Sequence, residues 1–118
     1  MFQEQWIRGM PVIVANVSSK LDISGLWSPT AFTNEFGSVK HDIVNTRSNL
    51  TVPQMPLAKF WSGFQNLGKR LRDEDGNPML LKLKDWPPDN DFASYLPERF
   101  KDLMKWIPLQ DYTKREGR

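Results

Sequence analysis

Apolar side chains recur at helical spacing in the middle of the chain. A helix is predicted to begin after Pro56 and to end at Gly68. The apolar face of this helix carries Leu57, Phe60, Trp61, Phe64 and Leu67. Side chains at this spacing line one stripe of an α-helix, so the helix is expected to pack against a core. Gly63 weakens it, and close packing explains that glycine better than the approach of a partner.

Three shorter helices are predicted over residues 2–9, 28–37 and 97–108, the last being the final helix of the chain. Their ends are marked by Gly9 as a C-terminal cap, by Ser28 and Pro29 at an N-terminus, and by the helix-breaking Pro108. Their apolar faces hold, in chain order, Phe2 with Trp6, Phe32 with Phe36, and Phe100 with Leu103, Met104 and Ile107.

Two strands are predicted in the first half of the chain. Pro11 to Val17 contains Val12, Ile13 and Val14 in an uninterrupted apolar run. Such a run is typical of a strand that is covered on both faces, so this strand is expected at the centre of a sheet. His41 to Arg47 alternates weakly and indicates a second strand, whereas the stretch from Asn49 to Pro56 is predicted to be a loop.

A third strand is indicated by alternation between leucine and lysine. Met79, Leu81 and Leu83 would share one face, and Lys82 and Lys84 the other. Two prolines follow Trp86, so the strand should end there, with the indole as an anchor. The acidic stretch 73–78, with its Asp-Gly and Asn-Pro pairs, is predicted to be the turn that leads into this strand. Helices and short strands together predict an α+β fold.

Composition limits the class of protein. The chain has 118 residues, enough for one domain, with a net charge of +2 and no cysteine. No apolar stretch approaches the roughly 18 residues needed to span a membrane, and no signal peptide opens the chain. These features predict a soluble intracellular protein without a disulfide framework, and two glycosylation sequons are best explained by chance. The small net charge gives no reason to expect nucleic-acid binding.

Side chains suited to catalysis or metal binding are scarce. His41 is the only histidine, so this chain cannot by itself supply the two imidazoles of a facial-triad iron site. The pairs Glu74 with Asp75 and Asp89 with Asp91 lie beside turn residues, which explain them better than acid and base roles. No phosphate-binding loop or nucleophile elbow is present. The sequence therefore predicts no catalytic, cofactor-binding or metal-binding residue.

Two further patterns have a structural explanation that is favoured over a functional one. Lys69, Arg70 and Arg72 form a small basic run, but three acidic residues follow at once and reduce its field. The five tryptophans could in principle line a cage for a methylated ammonium group. Most of them lie on helix stripes, where a role in the core is expected.

Several of these motifs together resemble one family. They are Trp6 to Val14, Leu26-Trp27, Asp42 to Asn45, Phe60 to Phe64, Asn77 to Met79, Leu81 to Pro88, Pro97 to Met104, Ile107 to Leu109, and Tyr112 to Arg118. In this order they are similar to the N-terminal part of the JmjC domain of the lysine-specific demethylase 3 family. The resemblance runs nearly from end to end, so residues 1–118 are interpreted as an incomplete JmjC domain.

The resemblance implies a nuclear Fe(II)- and 2-oxoglutarate-dependent dioxygenase that acts on methylated lysine 9 of histone H3. Such an enzyme hydroxylates the N-methyl group, and the carbinolamine then loses formaldehyde. The iron ligands and the 2-oxoglutarate site of the family would lie beyond Arg118, and His41 matches none of them. The full-length protein would bind both cofactors, the histone H3 tail and chromatin, whereas this segment would bind neither cofactor.

The resemblance also implies a division of labour. These residues would flank and support a cupin-like double-stranded β-helix, from which the chain is truncated before most of the barrel. The charged run Thr113 to Arg118 follows no predicted element, which also suggests truncation. Part of the apolar stripes at 57–67 and 100–107 would then face the rest of the barrel and be exposed here, with poor solubility. The alternative is a non-catalytic chromatin-associated binding or structural module.

Overall fold

A computed structural model describes residues 1–87 and 91–116 of the chain. We number its helices and strands in chain order. The described elements are α1 (Phe2–Ile7), a π-helical turn (Ile23–Trp27), α2 (Pro29–Phe36), β1 (Lys40–Asn45), β2 (Leu50–Pro56), α3 (Leu57–Gln65), a 3₁₀ turn (Leu67–Lys69), β3 (Leu81–Leu83), α4 (Phe92–Tyr95), α5 (Pro97–Trp106) and α6 (Gln110–Thr113). None of the described helices has the length and apolar character needed to cross a membrane.

The described strands form one antiparallel sheet with the order β2-β1-β3. Ile43 of β1 lies opposite Val52 on one side and Leu83 on the other. Its side chain is fully buried, because α3 packs across this face of the sheet. The apolar core consists of Ile43, Met55, Leu57 and Phe60. This arrangement confirms the predicted α+β class, and the described residues contain no barrel.

Local signals explain where the two central helices begin and meet. Ser28 caps α2 by accepting a hydrogen bond from the Ala31 backbone N–H at 3.1 Å, with Pro29 at the first helical position. Gly37 follows α2, and its carbonyl accepts from the Ala58 N–H at 3.0 Å. A Cβ atom on Gly37 would lie 3.2 Å from the Ala58 side chain. This close approach explains why glycine stands where α2 meets α3.

The prediction of a central strand at Pro11 to Val17 is wrong for this structure. These residues form neither helix nor strand, and all of them except Val17 are exposed. Ile13 in particular is 92% exposed. These residues have a strong preference for strands. A strand nevertheless forms only where a neighbouring strand accepts and donates its backbone hydrogen bonds.

The prediction of a loop at Asn49 to Pro56 is also wrong, because residues 50–56 form β2. Pro53 and Pro56 suggested a loop, since proline cannot donate to a ladder. β2 lies at an edge of the described sheet, where a proline N–H is not required on the open side. Asp42 helps to hold the irregular middle of β2, where its carboxylate accepts from the Gln54 N–H at 3.0 Å.

Several predicted boundaries differ from the structure. α3 ends at Gln65 instead of Gly68, because the side chain of Asn66 accepts from the Gly68 N–H at 2.9 Å and starts a separate 3₁₀ turn. β3 stops at Leu83, before Trp86. The helix at 97–106 is not the final one, because α6 follows it and ends at Thr113, the first residue of the terminal charged run. The short turns at 23–27 and 92–95 were not predicted.

Other predictions are confirmed. α1 pairs Phe2 with Trp6, whose ring centroids lie 5.4 Å apart, and Gly9 follows with a φ of +65°. The turn at 73–78 is present, with the Asp73 carboxylate accepting from the Asn77 N–H at 2.8 Å. Gly63 lies against Arg70, where a Cβ atom would be 3.4 Å from Cγ of the arginine. This is an ordinary van der Waals distance, so close packing as the reason for the glycine stays a prediction.

Candidate docking surfaces

The N-terminal region contains the apolar side chains with the highest exposed fractions among the described residues. Ile7 is 87% exposed and Ile13 is 92% exposed. We call the exposed apolar residues of this region the N-terminal apolar surface; they are Trp6, Ile7, Met10, Val12, Ile13 and Val14. Six exposed apolar side chains within nine consecutive residues are a dense cluster in the sequence, and large exposed apolar patches are uncommon on proteins that act as independent monomers. The N-terminal apolar surface is therefore a candidate docking surface.

One end of the N-terminal apolar surface is held by α6. The side-chain amide of Gln3 donates to the hydroxyl of Tyr112 at 2.8 Å. The Tyr112 ring lies 5.4 Å from the Phe2 ring and 5.9 Å from the Trp6 ring, measured between centroids. This aromatic cluster fixes α1 and leaves residues 10–15 without a comparable anchor.

A second candidate surface is an open groove between α2, α3 and the residues that follow β3. We call it the aromatic groove; it is lined by Phe32, Phe60, Trp61, Phe64, Leu83, Trp86, Pro87, Phe92 and Leu96. Trp61 stacks on Phe32 with centroids 4.8 Å apart, and Phe64 is 61% exposed. The indole N–H groups of Trp61 and Trp86 are buried and have no acceptor among the described residues.

The predicted apolar stripes divide between core and surface. On α3, Leu57 and Phe60 are buried, whereas Phe64 remains exposed, as does Leu67 in the turn beyond it. This confirms that part of the stripe at 57–67 is uncovered. On the second stripe, residues 100, 103, 104 and 107 are all partly buried. The exposure that was predicted for both stripes is therefore observed mainly on the stripe at 57–67. The predicted poor solubility stays a prediction.

Arg99 is the most deeply buried charged residue that the structure describes. Its side chain is 2% exposed, donates from Nε to the Leu26 carbonyl at 2.8 Å, and donates from Nη1 to the Glu35 carboxylate at 2.6 Å. The guanidinium also lies 4.2 Å from the centroid of the Phe32 ring. It joins α5 to α2 and to the π-helical turn, so its role is structural.

The tryptophans do not form the cage that was considered as an alternative. Trp27 donates to the Asp102 carboxylate at 2.8 Å, and the Trp106 ring contacts Lys105 and Lys20. Trp61 and Trp86 lie in the aromatic groove, and Trp6 lies in the N-terminal cluster. The aromatic faces are thus distributed over separate sites, and the core interpretation holds for Trp61 and Trp86, which pack partly buried against the core, but not for the exposed Trp6.

The candidate polar residues also have structural roles. His41 lies on β1, and its Nε2 is 2.7 Å from the Lys84 carbonyl across the sheet. Glu74 and Asp75 belong to the turn at 73–78, and Asp91 caps α4 through the Ser94 N–H. Asp89, the other member of its pair, lies outside the described residues. Arg72 donates to the Gly76 carbonyl at 2.6 Å, so part of the basic run closes a turn.

The described residues do not fit an iron site. Among residues 1–87 and 91–116, no three side chains of histidine, cysteine, aspartate or glutamate lie together as ligands. His41 also uses one ring nitrogen at the Lys84 carbonyl. The expectation that this chain supplies no catalytic, cofactor-binding or metal-binding residue stays a prediction.

One exposed ion pair lies near the end of the described chain. Arg115 forms a salt bridge and a second hydrogen bond with the Asp91 carboxylate. The hydrogen bond from Arg115, aided by bonds from Ser94, lowers the pKa of Asp91 below its ordinary value near 3.8. The hydrogen bond to Asp91 in turn raises the pKa of Arg115. The pair links Arg115 to the N-terminus of α4.

The chain is similar over its whole length to curated lysine demethylases. It is 50% identical to lysine-specific demethylase 3 of Drosophila melanogaster and 48% identical to lysine-specific demethylase 3A of Gallus gallus. The identity to lysine-specific demethylase 3A of Homo sapiens is 47%. These alignments cover 99–100% of the chain. The chain belongs to the lysine-specific demethylase 3 family.

Within the lysine-specific demethylase 3 family, the chain spans only a small share of each relative. It covers 14% of the Drosophila protein and 9% of the chicken and human proteins. The human protein named probable JmjC domain-containing histone demethylation protein 2C is 36% identical over 118 residues. No protein-family model matches the chain. The family resemblance found in the sequence is confirmed.

The sequence motifs identified the family but did not locate the N-terminal apolar surface. The run Val12-Ile13-Val14 was interpreted as a covered strand, and its exposure could not be inferred from an apolar pattern. The role of Arg99 was also missed. Its position between Leu96 and Phe100 on a helix, facing the same side as apolar residues, is the only signal that could have suggested burial.

Proposed function

We propose that the chain is a structural part of an Fe(II)- and 2-oxoglutarate-dependent histone lysine demethylase. The full protein would act in the nucleus on methylated lysine 9 of histone H3 and would contact chromatin through other regions. The 118 residues would support the catalytic barrel of a JmjC domain and bind neither cofactor. We expect no membrane partner and no direct nucleic-acid contact for this segment.

The observation that carries this proposal is the exposed area of the chain. Its accessible surface is 8700 Å². A compact monomer of 13.7 kDa would expose about 6,600 Å². The radius of gyration of 17.9 Å likewise exceeds the value of about 13.5 Å for a compact domain of this length. A surface of this extent supports a role as part of a larger folded body.

The size of this excess surface area favours the remainder of the same polypeptide as the partner that covers it. About 2,100 Å² of extra surface on one partner is larger than the roughly 800 Å² per partner of a standard interface. Areas of this size are typical of obligate contacts. Relatives that match the whole chain over only 14% or 9% of their length have ample further polypeptide to provide such a contact.

A chimeric demethylase tests the proposal. The 117 matched residues of the Drosophila relative are replaced by this chain, and methyl loss from a histone H3 peptide dimethylated on lysine 9 is measured with Fe(II) and 2-oxoglutarate. We expect the chimera to retain activity within about tenfold of the parent, a barrier difference of about 1.4 kcal/mol or less, because these residues would not contact the reacting atoms. The isolated chain should give no turnover.

The control is a chimera that carries the matched residues of the chicken relative, which undergo the same exchange. Turnover by the isolated chain would contradict the proposal, since a reactive centre would then lie within these residues. A soluble but inactive chimera beside an active chicken control would also contradict it. Specific binding of the histone peptide by the isolated chain, together with that failure, would favour the non-catalytic module.

A further inference from the structure

Residues 11–15 combine a strand-forming sequence with a backbone that lacks a strand partner. Val12, Ile13 and Val14 are β-branched, the class of residue most enriched in strands. No backbone hydrogen bond joins residues 11–15 to any other residue that the structure describes. The segment is ready to pair but has no partner within the described fold.

The boundaries of this segment match those of a short strand. Gly9 turns the chain before it with a φ of +65°, and Asn16 turns it afterwards with a φ of +61°. Pro11 stands at the first position, where a missing N–H is tolerated in a strand. Six residues lie between these turns, and the five from 11 to 15 have the usual length of a strand in a globular protein.

The side chains indicate an interior strand instead of an edge strand. In a strand, Val12 and Val14 would share one face and Ile13 would lie on the other. Both faces would therefore be apolar and would need covering. The stretch from Gly9 to Val17 contains no charged residue, although edge strands commonly carry charges that prevent wrong pairing. β3, an edge strand of the described sheet, does carry Lys82 in its centre.

A second copy of the chain is a poor partner for this segment. Two identical five-residue strands paired across a twofold axis would form a two-stranded ribbon that leaves both apolar faces in water. Such isolated ribbons are marginally stable at best. A sheet that lies within a larger body can instead place strands on both sides and packing layers on both faces.

We infer that residues 11–15 form an interior β-strand in a sheet completed by the remainder of the longer demethylase polypeptide. This inference rests on the proposed function, because that polypeptide is the partner. The N-terminal apolar surface would then become core, with Ile13 covered on one face and Val12 and Val14 on the other. The present chain would contribute a strand as well as supporting helices.

Amide hydrogen exchange in the chimeric demethylase tests this inference directly. Exchange is followed by mass spectrometry in peptides that cover residues 9–17, in the isolated chain and in the chimera. We expect the amides of residues 12–15 to exchange at least about 100-fold more slowly in the chimera, because ladder hydrogen bonds must open before exchange. Peptides from the buried strand β1 serve as an internal reference in both proteins.

A proline substitution gives a second, independent readout. Ile13→Pro removes one backbone N–H and should leave the thermal unfolding of the isolated chain unchanged, since that N–H has no described protein acceptor. In the chimera, the same change should lower the unfolding temperature or abolish soluble expression. Ile13→Thr keeps the strand preference but adds a hydroxyl, so it should have a smaller effect in the same direction and should still yield soluble protein.

Ser18→Pro is the matched control. Ser18 is the second residue of a turn closed by a 3.1 Å hydrogen bond from the Lys20 N–H to the Val17 carbonyl, and proline suits that position. It should therefore alter neither protein. If Ser18→Pro and Ile13→Pro have equal effects in the chimera, the inference is overturned.

The outcomes separate this inference from the proposed function. An active chimera with equally fast exchange of residues 12–15 in both proteins would overturn the strand and keep the proposed function. An inactive chimera beside an active chicken control would overturn both. If the isolated chain dimerises in sedimentation experiments and protects residues 12–15, a second copy is the partner and the inference fails.

Discussion

Residues 11–15 and strand β1 were both predicted to be strands, and they have opposite environments. Each contains an isoleucine next to valine, although residues 11–15 form an uninterrupted apolar run and β1 alternates weakly. In β1, Ile43 is fully buried and paired on both sides by β2 and β3. In the N-terminal segment, Ile13 is 92% exposed and has no ladder partner among the described residues. The difference lies in the neighbours that each segment has.

The comparison shows that a strand pattern describes a capacity to pair. β1 is followed after four residues by β2, so its first partner is supplied by a short local turn. Residues 11–15 are followed by turns and a helix, and the nearest described strand begins at Lys40. A strand whose partners lie far along the chain depends on that distant sequence being present.

The largest expected difference in stability is between variants in which one or the other of the two isoleucines is replaced by alanine. In the isolated chain, Ile43→Ala should reduce the free energy of unfolding by about 3 kcal/mol, because it opens a cavity between the sheet and α3. Ile13→Ala should change it by no more than about 0.5 kcal/mol, since that side chain is already in water. Urea unfolding followed by tryptophan fluorescence measures both. Equal losses would show that residues 11–15 are already packed in solution.

An intermediate effect on stability is expected for the buried arginine Arg99, whose hydrogen-bond partners lie within the described residues. Arg99→Met should reduce the free energy of unfolding by about 2 kcal/mol, because it removes charge-assisted hydrogen bonds to Glu35 and to the Leu26 carbonyl. Lys101 on the same helix pairs with Glu98 in an exposed position, so Lys101→Ala should cost less than about 1 kcal/mol. Chemical unfolding of both variants tests the contrast.

If Arg99→Met unfolds like the Lys101 variant, the buried arginine does not join α5 to α2 in solution. Arg99→Lys sharpens the test, because lysine keeps the charge but lacks the planar group that stacks on Phe32. The free energy of unfolding of Arg99→Lys should lie between that of Arg99→Met and that of the unchanged chain.

The smallest expected effect lies at the exposed pair of Asp91 and Arg115. Because the pKa of Asp91 is lowered in the folded chain, its contribution to stability is present above the unfolded pKa of about 4 and is lost as pH falls through the lower, folded pKa. An NMR titration of the Asp91 carboxyl carbon should show a midpoint below 3.8. Arg115→Ala should move the midpoint upward, and Lys114→Ala, the adjacent cation, should move it less. An unchanged midpoint in Arg115→Ala would contradict the contact.

Much of the fold could be predicted where local signals determine the structure. Ser28 with Pro29 fixed the start of α2, and the apolar stripe after Pro56 located α3. The errors arose where tertiary context decides. The prolines of β2 suggested a loop until its edge position was known, and Asn66 ended α3 earlier than Gly68 because a side-chain hydrogen bond competed with the helix.

The candidate surfaces could be predicted only in part. Exposure of Phe64 and Leu67 followed from the interpretation of the α3 stripe as facing an external barrel. Exposure of Ile13 did not, because the sequence of a strand is the same whether or not its partner is present. The burial of Arg99 depends on a carbonyl and a carboxylate more than 60 residues away, which no local pattern reveals.

The contact between Gln3 and Tyr112 has a topological consequence. It brings residues near the two ends of the chain together, so a polypeptide that continued beyond both would enter and leave at one place. Segments with this geometry can be inserted into a host chain at a single site. Dyes attached at positions 1 and 116 should accordingly transfer energy efficiently in any host protein that accepts the segment.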